Sequence, residues 1–597
     1  MQKKFQASIM QTIHYEVSLH SANAHLFEVT CLIKEPDRNG QIVSLAAWIP
    51  GSYLIRDFAR HIIKISAYIQ DKNINHKNVR IEKLDKHTWQ CAPCDTPLTI
   101  KYQVYAFDMS VRTAYFDQER AYFNGTSLFL KVHGAENTPC ELKLTPPEKA
   151  FKHWQVATAM PAVKTDQQGF GRYQAQHYAE LIDYPFEISN LAVAEFKAAG
   201  IPHRIAISGK HRADLKRISK DLKTLCEYHI KFFGTAPFKD YLFMLYAAGD
   251  HQYGGLEHSN STSLICPRAW LPVKDETLDI ENYHQFLGLC SHEYFHAWHV
   301  KRIRPEAFDN PDLSSEAYTR LLWVFEGFTA YYDTLAVLRA GLMSREDYLK
   351  SLSKDITRYL GTPGRQLQRL DESSFDSWIK LYRPDENSPN TQISYYLKGS
   401  LVALAIDLSL RIKKHSLDDV MRALWQRYQT SQQLLNEYEI DDLIFTATGQ
   451  NLSKLLDSTV RGTDDPPLKK LLAKFGIAFA SSDKSPNILR EALGIQLTSD
   501  NDPKITTVFS DSPAEKAGLA AHDVLMALDH IKLNAKNLKE IVGKKVDGAH
   551  LYLHFFRRDE LMTTTLIKAT QKLEHCNLVL KTKPDAEIAK RLNDWLS

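Results

Sequence analysis

Ser291-His292-Glu293-Tyr294-Phe295-His296 sits within residues 282–303, where Phe286, Leu289 and Phe295 recur at three- and four-residue spacing, so a helix is predicted there. Residues four apart on a helix stand one above the other on the same face, so His292 and His296 can turn two imidazoles toward one ion. Zinc accepts imidazole nitrogen at about 2.0–2.1 Å and prefers four ligands. Glu293 follows the first histidine directly. It is placed to take a proton from a metal-activated water and pass it to a leaving amine. The ion would do the harder part, lowering the water's pKa to about 7 from roughly 15.7.

A third ligand is required. One known pattern places a glycine and a third histidine at fixed spacing after the pair; here that histidine position is Arg302, and no glycine precedes it. His299 comes too soon and is read as a bystander or as a residue behind the ligands. The other pattern takes a glutamate from the next helix. Residues 314–340 read as that helix, stopped by Gly341, and Glu326 is the single acid in Trp323-Val324-Phe325-Glu326-Gly327-Phe328-Thr329-Ala330-Tyr331-Tyr332. A carboxylate on so apolar a stretch is costly to bury unless a cation or metal pairs with it, and Glu326 is the expected third ligand of a single zinc per chain.

The fuller run His292-Glu293-Tyr294-Phe295-His296-Ala297-Trp298-His299-Val300-Lys301-Arg302-Ile303-Arg304-Pro305 resembles the M61 glycyl aminopeptidase family of gluzincin metallopeptidases. Three further segments agree: Trp48-Ile49-Pro50-Gly51-Ser52-Tyr53, Tyr122-Phe123-Asn124-Gly125-Thr126-Ser127, and Gly254-Gly255-Leu256-Glu257-His258. The resemblance implies His292, His296 and Glu326 as zinc ligands and Glu293 as base. It implies Glu257 as the group that holds the substrate's N-terminal ammonium, a charge-assisted contact. Gly254 and Gly255 would let an extended substrate backbone come close. Tyr396, in Tyr396-Leu397-Lys398-Gly399, resembles the tyrosine whose hydroxyl steadies the oxyanion in related zinc aminopeptidases. The thermolysin pattern has an aspartate four residues after the ligand glutamate, orienting a histidine. Here that position is Ala330 and the nearest aspartate is Asp333, so the partner of the zinc-bound histidine stays unassigned.

Outward from this centre, the first ~170 residues read as β structure. Ile13, Tyr15, Val17 and Leu19 alternate with polar residues, further strands are predicted at residues 26–33 and 98–107, and Pro36-Asp37-Arg38-Asn39-Gly40 makes a turn. A sandwich-like arrangement is expected. From about Ala213 the pattern turns helical, with Ser344 and Asp347 capping one helix and residues 396–412 forming another. Residues 481–486 read as a linker. Beyond them Leu493-Gly494-Ile495-Gln496-Leu497, Asp511-Ser512-Pro513-Ala514-Glu515-Lys516-Ala517-Gly518-Leu519 and Asp523-Val524-Leu525 resemble a PDZ domain, whose groove would take a peptide C-terminus. The expected fold is therefore multidomain α+β: a β-rich domain at residues 1–175, a thermolysin-like, mainly helical zinc peptidase domain at 176–480, and a PDZ domain with its tail at 487–597.

With 74 Lys plus Arg against 71 Asp plus Glu, the charge balance gives no reason to expect nucleic acid or an anionic membrane as partner. No continuous run of 18 apolar residues reads as a membrane span, and residues 1–8, with Lys3 and Lys4, lack a leader's apolar core. Eight scattered cysteines, with a lone Cys91/Cys94 pair, make no disulfide framework or zinc ribbon, and the cytoplasm is the expected compartment. The expected activity is hydrolysis of peptides with free N-termini, at glycine first and alanine next. The alternatives are a PDZ-guided endopeptidase and a peptide-binding scaffold with a vestigial site.

Overall fold

The alternation at the start of the chain builds the first strand as read. Ile13–Ser21 buries Ile13, Tyr15, Val17 and Leu19 on one face, pairs antiparallel with Leu26–Ile33, and pairs parallel with Cys140–Leu144. The computed structural model describes residues 12–71, 75–249, 251–480, 487–498, 503–582 and 584–597; the readings made for residues 1–8 and for the linker at 481–486 fall outside them. The chain divides into two compact units, residues 1–317 with 332–342 and 425–435, and residues 318–331 with 343–424 and 436–597. It is a multidomain mixed α/β protein with a β-rich N-terminal region.

The first unit opens with an eight-stranded sheet and two four-stranded sheets around one apolar core that includes Phe27, Val29, Tyr102, Phe123 and Leu142. A five-stranded sheet follows, in the order Ala192–Ala198, Ile201–Ser208, Tyr241–Ala248, Ser261–Pro267, Gly254–Glu257. Its two middle pairings are parallel and the last is antiparallel, leaving Gly254–Glu257 at the edge. These strands correct the expectation of helix from Ala213 onward. Tyr241-Leu-Phe-Met-Leu-Tyr-Ala-Ala is apolar throughout and almost wholly buried, as a strand covered on both faces must be, so it carries no alternation to read.

Helix α1 (Leu215–Phe233) and helix α2 (Ile280–Phe295) belong to this unit. The Asp279 side chain caps α2 by accepting the amide of Asn282. The helix stops at Phe295 rather than running to 303. Ala297 and Trp298 bond carbonyls only three residues back, Lys301 N donates to His296 O, and Val300 takes φ 123, a strained conformation for a β-branched residue. Trp298, buried and stacked 4.8 Å from Phe233, anchors the turn.

Helix α3 (Leu322–Arg339) begins eight residues later than the pattern at 314 implies. The Arg320 amide is taken by Glu437 and the Leu321 amide by the Thr319 hydroxyl, so side chains supply these acceptors before the helical ladder starts. Its end is as read: Gly341 holds φ 76, and its amide bonds Leu338 O. Helix α4 (Tyr395–Ile412) starts behind the Ser394 cap. The stretch Ser388–Ile412 is long and apolar enough to cross a membrane, yet 78% of its most apolar window is buried inside the protein. In the second unit α3 and α4 cross backbone on backbone. A Cβ on Gly327 would stand 2.6 Å from the Cα of Gly399, and one on Gly399 would stand 2.9 Å from Trp323 O.

The C-terminal part of the second unit is a β region. Ile495–Leu497 pairs with Ile505–Val508, and Val524–Leu528 pairs with His550–Arg557, which pairs with Glu560–Ile567. Leu493, Ile495, Leu525, Leu538 and Val542 form its core. Ser512 caps the turn of helix at Pro513–Lys516.

Gly327→Ala forces apart two backbones that cannot yield as a flexible side chain would. It is expected to cost about 1–3 kcal/mol, read as a lowered denaturation midpoint, whereas alanine at Gly341, where no neighbour lies within 4 Å, carries the cost of φ alone.

Candidate metal centre

The α2 ladder brings His292 and His296 onto one face with ring centroids 4.7 Å apart. Each ring has its Nδ1 committed. His292 Nδ1 lies 3.2 Å from Asp333 Oδ2, and His296 Nδ1 lies 2.7 Å from the carbonyl of His299. A carbonyl only accepts and an ionised carboxylate only accepts, so both Nδ1 atoms carry the proton, and Nε2 is the nitrogen of each ring whose lone pair can serve as a ligand. The early end of α2 is what delivers the His299 carbonyl. His299 thus acts through its backbone, and its buried ring packs edge-on against Phe295.

Asp333 is the residue the sequence left unassigned. It lies on α3 seven residues after Glu326, about two helical turns, and so on the same face. His292, His296 and Glu326 each offer one ligand atom, all within 4.8 Å of one another. Glu326 is 2% exposed and His296 1%, so a cation there offsets the cost of burying the carboxylate. Two imidazoles and a carboxylate are a fitting donor set for a divalent transition ion.

A second group overlaps the first: Glu257, Glu293 and His296 also have ligand atoms within 4.8 Å of one another. Both carboxylates are 5% exposed. Two acids so near each other and so dry require positive charge close by. The buried imidazole of His229 on α1 supplies none. His229 donates or accepts at Ser291 Oγ, 2.9 Å away, and burial pulls its pKa down to about 3, so it is neutral.

Of the glycines before Glu257, Gly255 has a packing task of its own. A Cβ on Gly255 would fall 2.1 Å from Glu293 Oε1, so this residue is glycine to admit the acid on α2. At Gly254 a Cβ would meet Arg112 Nη1 at 3.4 Å. Gly51, from the Trp48–Tyr53 segment, holds φ 88, and a Cβ there would stand 2.6 Å from both oxygens of Glu257. Sequence reading singled out that segment without giving it a role.

Around the pair of acids a half-buried network locks the turns. Asp183 accepts from Lys301 Nζ at 2.7 Å and from the Ser259 amide at 3.0 Å, and His258 Nδ1 lies 3.2 Å away. Burial alone would raise the Asp183 carboxyl, but the Lys301 ammonium and the His258 bond outweigh it and hold the group well below the usual carboxylate range. Arg302 donates to the carbonyls of Ser259, Ala297 and Pro237. The basic residues after the histidine pair therefore tie the end of α2 to the segment after Glu257. Tyr396 lies in the first turn of α4, its hydroxyl 3.1 Å from that of Tyr382.

Asp333→Asn keeps the shape of the contact but loses the charge that holds the His292 ring. Metal affinity, measured by competition with a chromogenic chelator, is expected to fall about 10- to 100-fold. An unchanged affinity would show that the ring needs no such partner.

Residues 14–190 match the peptidase M61 N-terminal domain, and residues 285–402 match the M61 glycyl aminopeptidase model. Among solved structures the chain is similar to an aminopeptidase N family protein from Idiomarina loihiensis, with 36% identity, TM-score 0.92, and coverage of 98% of this chain and 100% of that one. A fainter likeness is to an M1 zinc metallopeptidase from Deinococcus radiodurans, solved with a Tyr-Ser-Ala substrate. There the identity is 12% and the TM-score 0.47, over 77% of this chain and 95% of that one. Curated proteins give no match.

Proposed function

Because the chain belongs to the M61 glycyl aminopeptidase family, a family of metallo-aminopeptidases, we propose that it uses one zinc ion, held by His292, His296 and Glu326, to remove small N-terminal residues from peptides, glycine first and alanine next. The observation that carries this reading is the pair of buried acids gathered at one histidine: Glu293 as base, Glu257 as the seat of a substrate ammonium. An endopeptidase has no use for a second buried carboxylate beside its base. An exopeptidase must neutralise one, and the substrate's own amine does so.

When bound, zinc supplies a Lewis acid that polarises the scissile carbonyl and acidifies water. Glu293 takes the proton of the attacking water and returns it to the departing amine. Glu257 fixes the first residue of the substrate through its ammonium, which sets the distance from the amine to the bond that is cut. Gly51 and Gly255 bring backbone against these acids where any side chain would collide with them. Tyr396 is assigned to the oxyanion, a role worth about 2.7–4 kcal/mol where it has been dissected in other enzymes. The crossing at Gly327 and Gly399 registers the helix of Tyr396 against the helix of Glu326.

The reading extends to the rest of the chain. Residues 1–175 form the N-terminal domain, 176–480 a thermolysin-like catalytic domain, and 487–597 a PDZ domain whose groove offers backbone amides at residues 493–495 to a peptide C-terminus. The protein acts in the cytoplasm on peptides, without nucleic acid or membrane as partner.

Glu293→Gln is expected to retain stoichiometric metal while kcat falls at least 10²-fold. Glu257→Ala is expected to lose far more activity on glycine amides than on N-acetylated peptides. Equal losses, or ready cleavage of N-acetylated peptides by the unaltered protein, would replace the aminopeptidase with the PDZ-guided endopeptidase. Full metal with no hydrolysis of any peptide would leave the scaffold.

A further inference from the structure

Gly254–Glu257 is an edge strand. Its inner side is paired with Ser261–Pro267, and an arginine from the N-terminal region also reaches its backbone. Arg112 Nη2 donates to Gly255 O at 3.0 Å, and Nη1 lies 3.4 Å from where a Cβ on Gly254 would stand. The buried Nε has no hydrogen-bond partner among the described residues. A guanidinium has five N–H donors in a rigid fork suited to a carboxylate.

The loop that carries Arg112 is held as a site is held. The Tyr122 hydroxyl donates to Val111 O at 2.8 Å and accepts from Ser263 Oγ at 2.8 Å, tying the loop to the strand that pairs with Gly254–Glu257. Asn124 Nδ2 donates to the same Val111 carbonyl at 2.7 Å, and the Asn124 amide donates to Thr113 O at 3.1 Å, so the residues on both sides of Arg112 are pinned by one side chain and its backbone. The Arg112 amide itself bonds Ser110 Oγ. Tyr122 and Asn124 are almost completely buried. The segment Tyr122–Ser127, prominent in the sequence and without a part in the chemistry, therefore exists in this structure to fix the backbone at Arg112.

We infer that Arg112 recognises the C-terminal carboxylate of very short substrates, and that dipeptides with a free carboxylate are the preferred class. The inference rests on the aminopeptidase reading above, since it takes Glu257 as the seat of the ammonium. A peptide whose amine meets Glu257 and whose chain runs along the edge strand in the antiparallel sense passes Leu256 and reaches Gly255 after two residues, about 6.8 Å. A dipeptide in extended form ends there, with its carboxylate in front of the Arg112 fork. A longer chain brings only a neutral carbonyl to the same place. Two charges at the ends of the substrate are thus read by two charges at the ends of one short strand, Glu257 and Arg112.

The test uses the Glu293→Gln protein loaded with metal, so that binding is measured without turnover. Titration calorimetry compares glycyl-leucine, glycyl-leucine amide and N-acetyl-glycyl-leucine. The expected result is that glycyl-leucine binds at least about tenfold tighter than its amide, that adding Arg112→Gln brings the two within about twofold, and that Arg112→Lys keeps part of the difference. A merely structural arginine would weaken both ligands alike and leave their ratio unchanged. Equal binding of acid and amide before Arg112 is altered overturns the inference while leaving the aminopeptidase reading in place. If N-acetylation is also without effect, Glu257 does not hold the amine, and both readings fail together.

Discussion

Two imidazoles with their Nδ1 protons already spent are the constraint on which the rest of this molecule depends. One proton goes to Asp333 and the other to the carbonyl of His299, so Nε2 is the lone-pair nitrogen of each ring. Everything nearby serves that outcome. The helix ends one residue short of His296 because the turn at 297–303 must present the His299 carbonyl. That turn is in turn held by Lys301 on Asp183 and by the three carbonyls that Arg302 collects. A motif that looks like four residues on a helix is thus a helix, a strained turn and a half-buried ion pair acting together.

Negative charge is concentrated in this region, and its arrangement defines the chemistry. Glu257, Glu293 and Glu326 are all nearly inaccessible, and all three have His296 as neighbour. In a dry environment such a set is unfavourable unless cations enter it. The proposed function supplies two, a metal ion at one group and a substrate ammonium at the other. The glycines set how closely the acids approach. Gly255 admits Glu293, Gly51 closes over Glu257, and the Gly327–Gly399 crossing brings two helices to backbone contact. At each of these positions the missing side chain is the functional feature.

Much of this was legible in the sequence, for identifiable reasons. His292, Glu293, His296 and Glu326 could be read because helical spacing fixes which residues share a face and because an acid in an apolar run needs a partner. The strands Ile13–Ser21 and Leu26–Ile33 could be read because one face is buried and the other wet. Tyr241–Ala248 could not, because burial on both faces erases alternation. The end of α2 was misplaced by eight residues because Trp298 and Ile303 are buried in a turn as they would be in a helix. Asp333 was within reach: it lies one heptad after Glu326, and a search at helical period rather than at a fixed offset of four finds it. Gly51, Arg112 and Asp183 were not, since each reaches the site across more than seventy residues of chain, and only the folded N-terminal region brings them to Gly254–Glu257 and its neighbours.

The most direct measurement of the central claim is anomalous scattering from crystals of the protein, recorded on both sides of the zinc absorption edge. The account predicts one peak per chain, within bonding distance of His292 Nε2, His296 Nε2 and a carboxylate oxygen of Glu326. A peak at other residues, or a fully ordered cluster with no peak in zinc-supplemented protein, would contradict it.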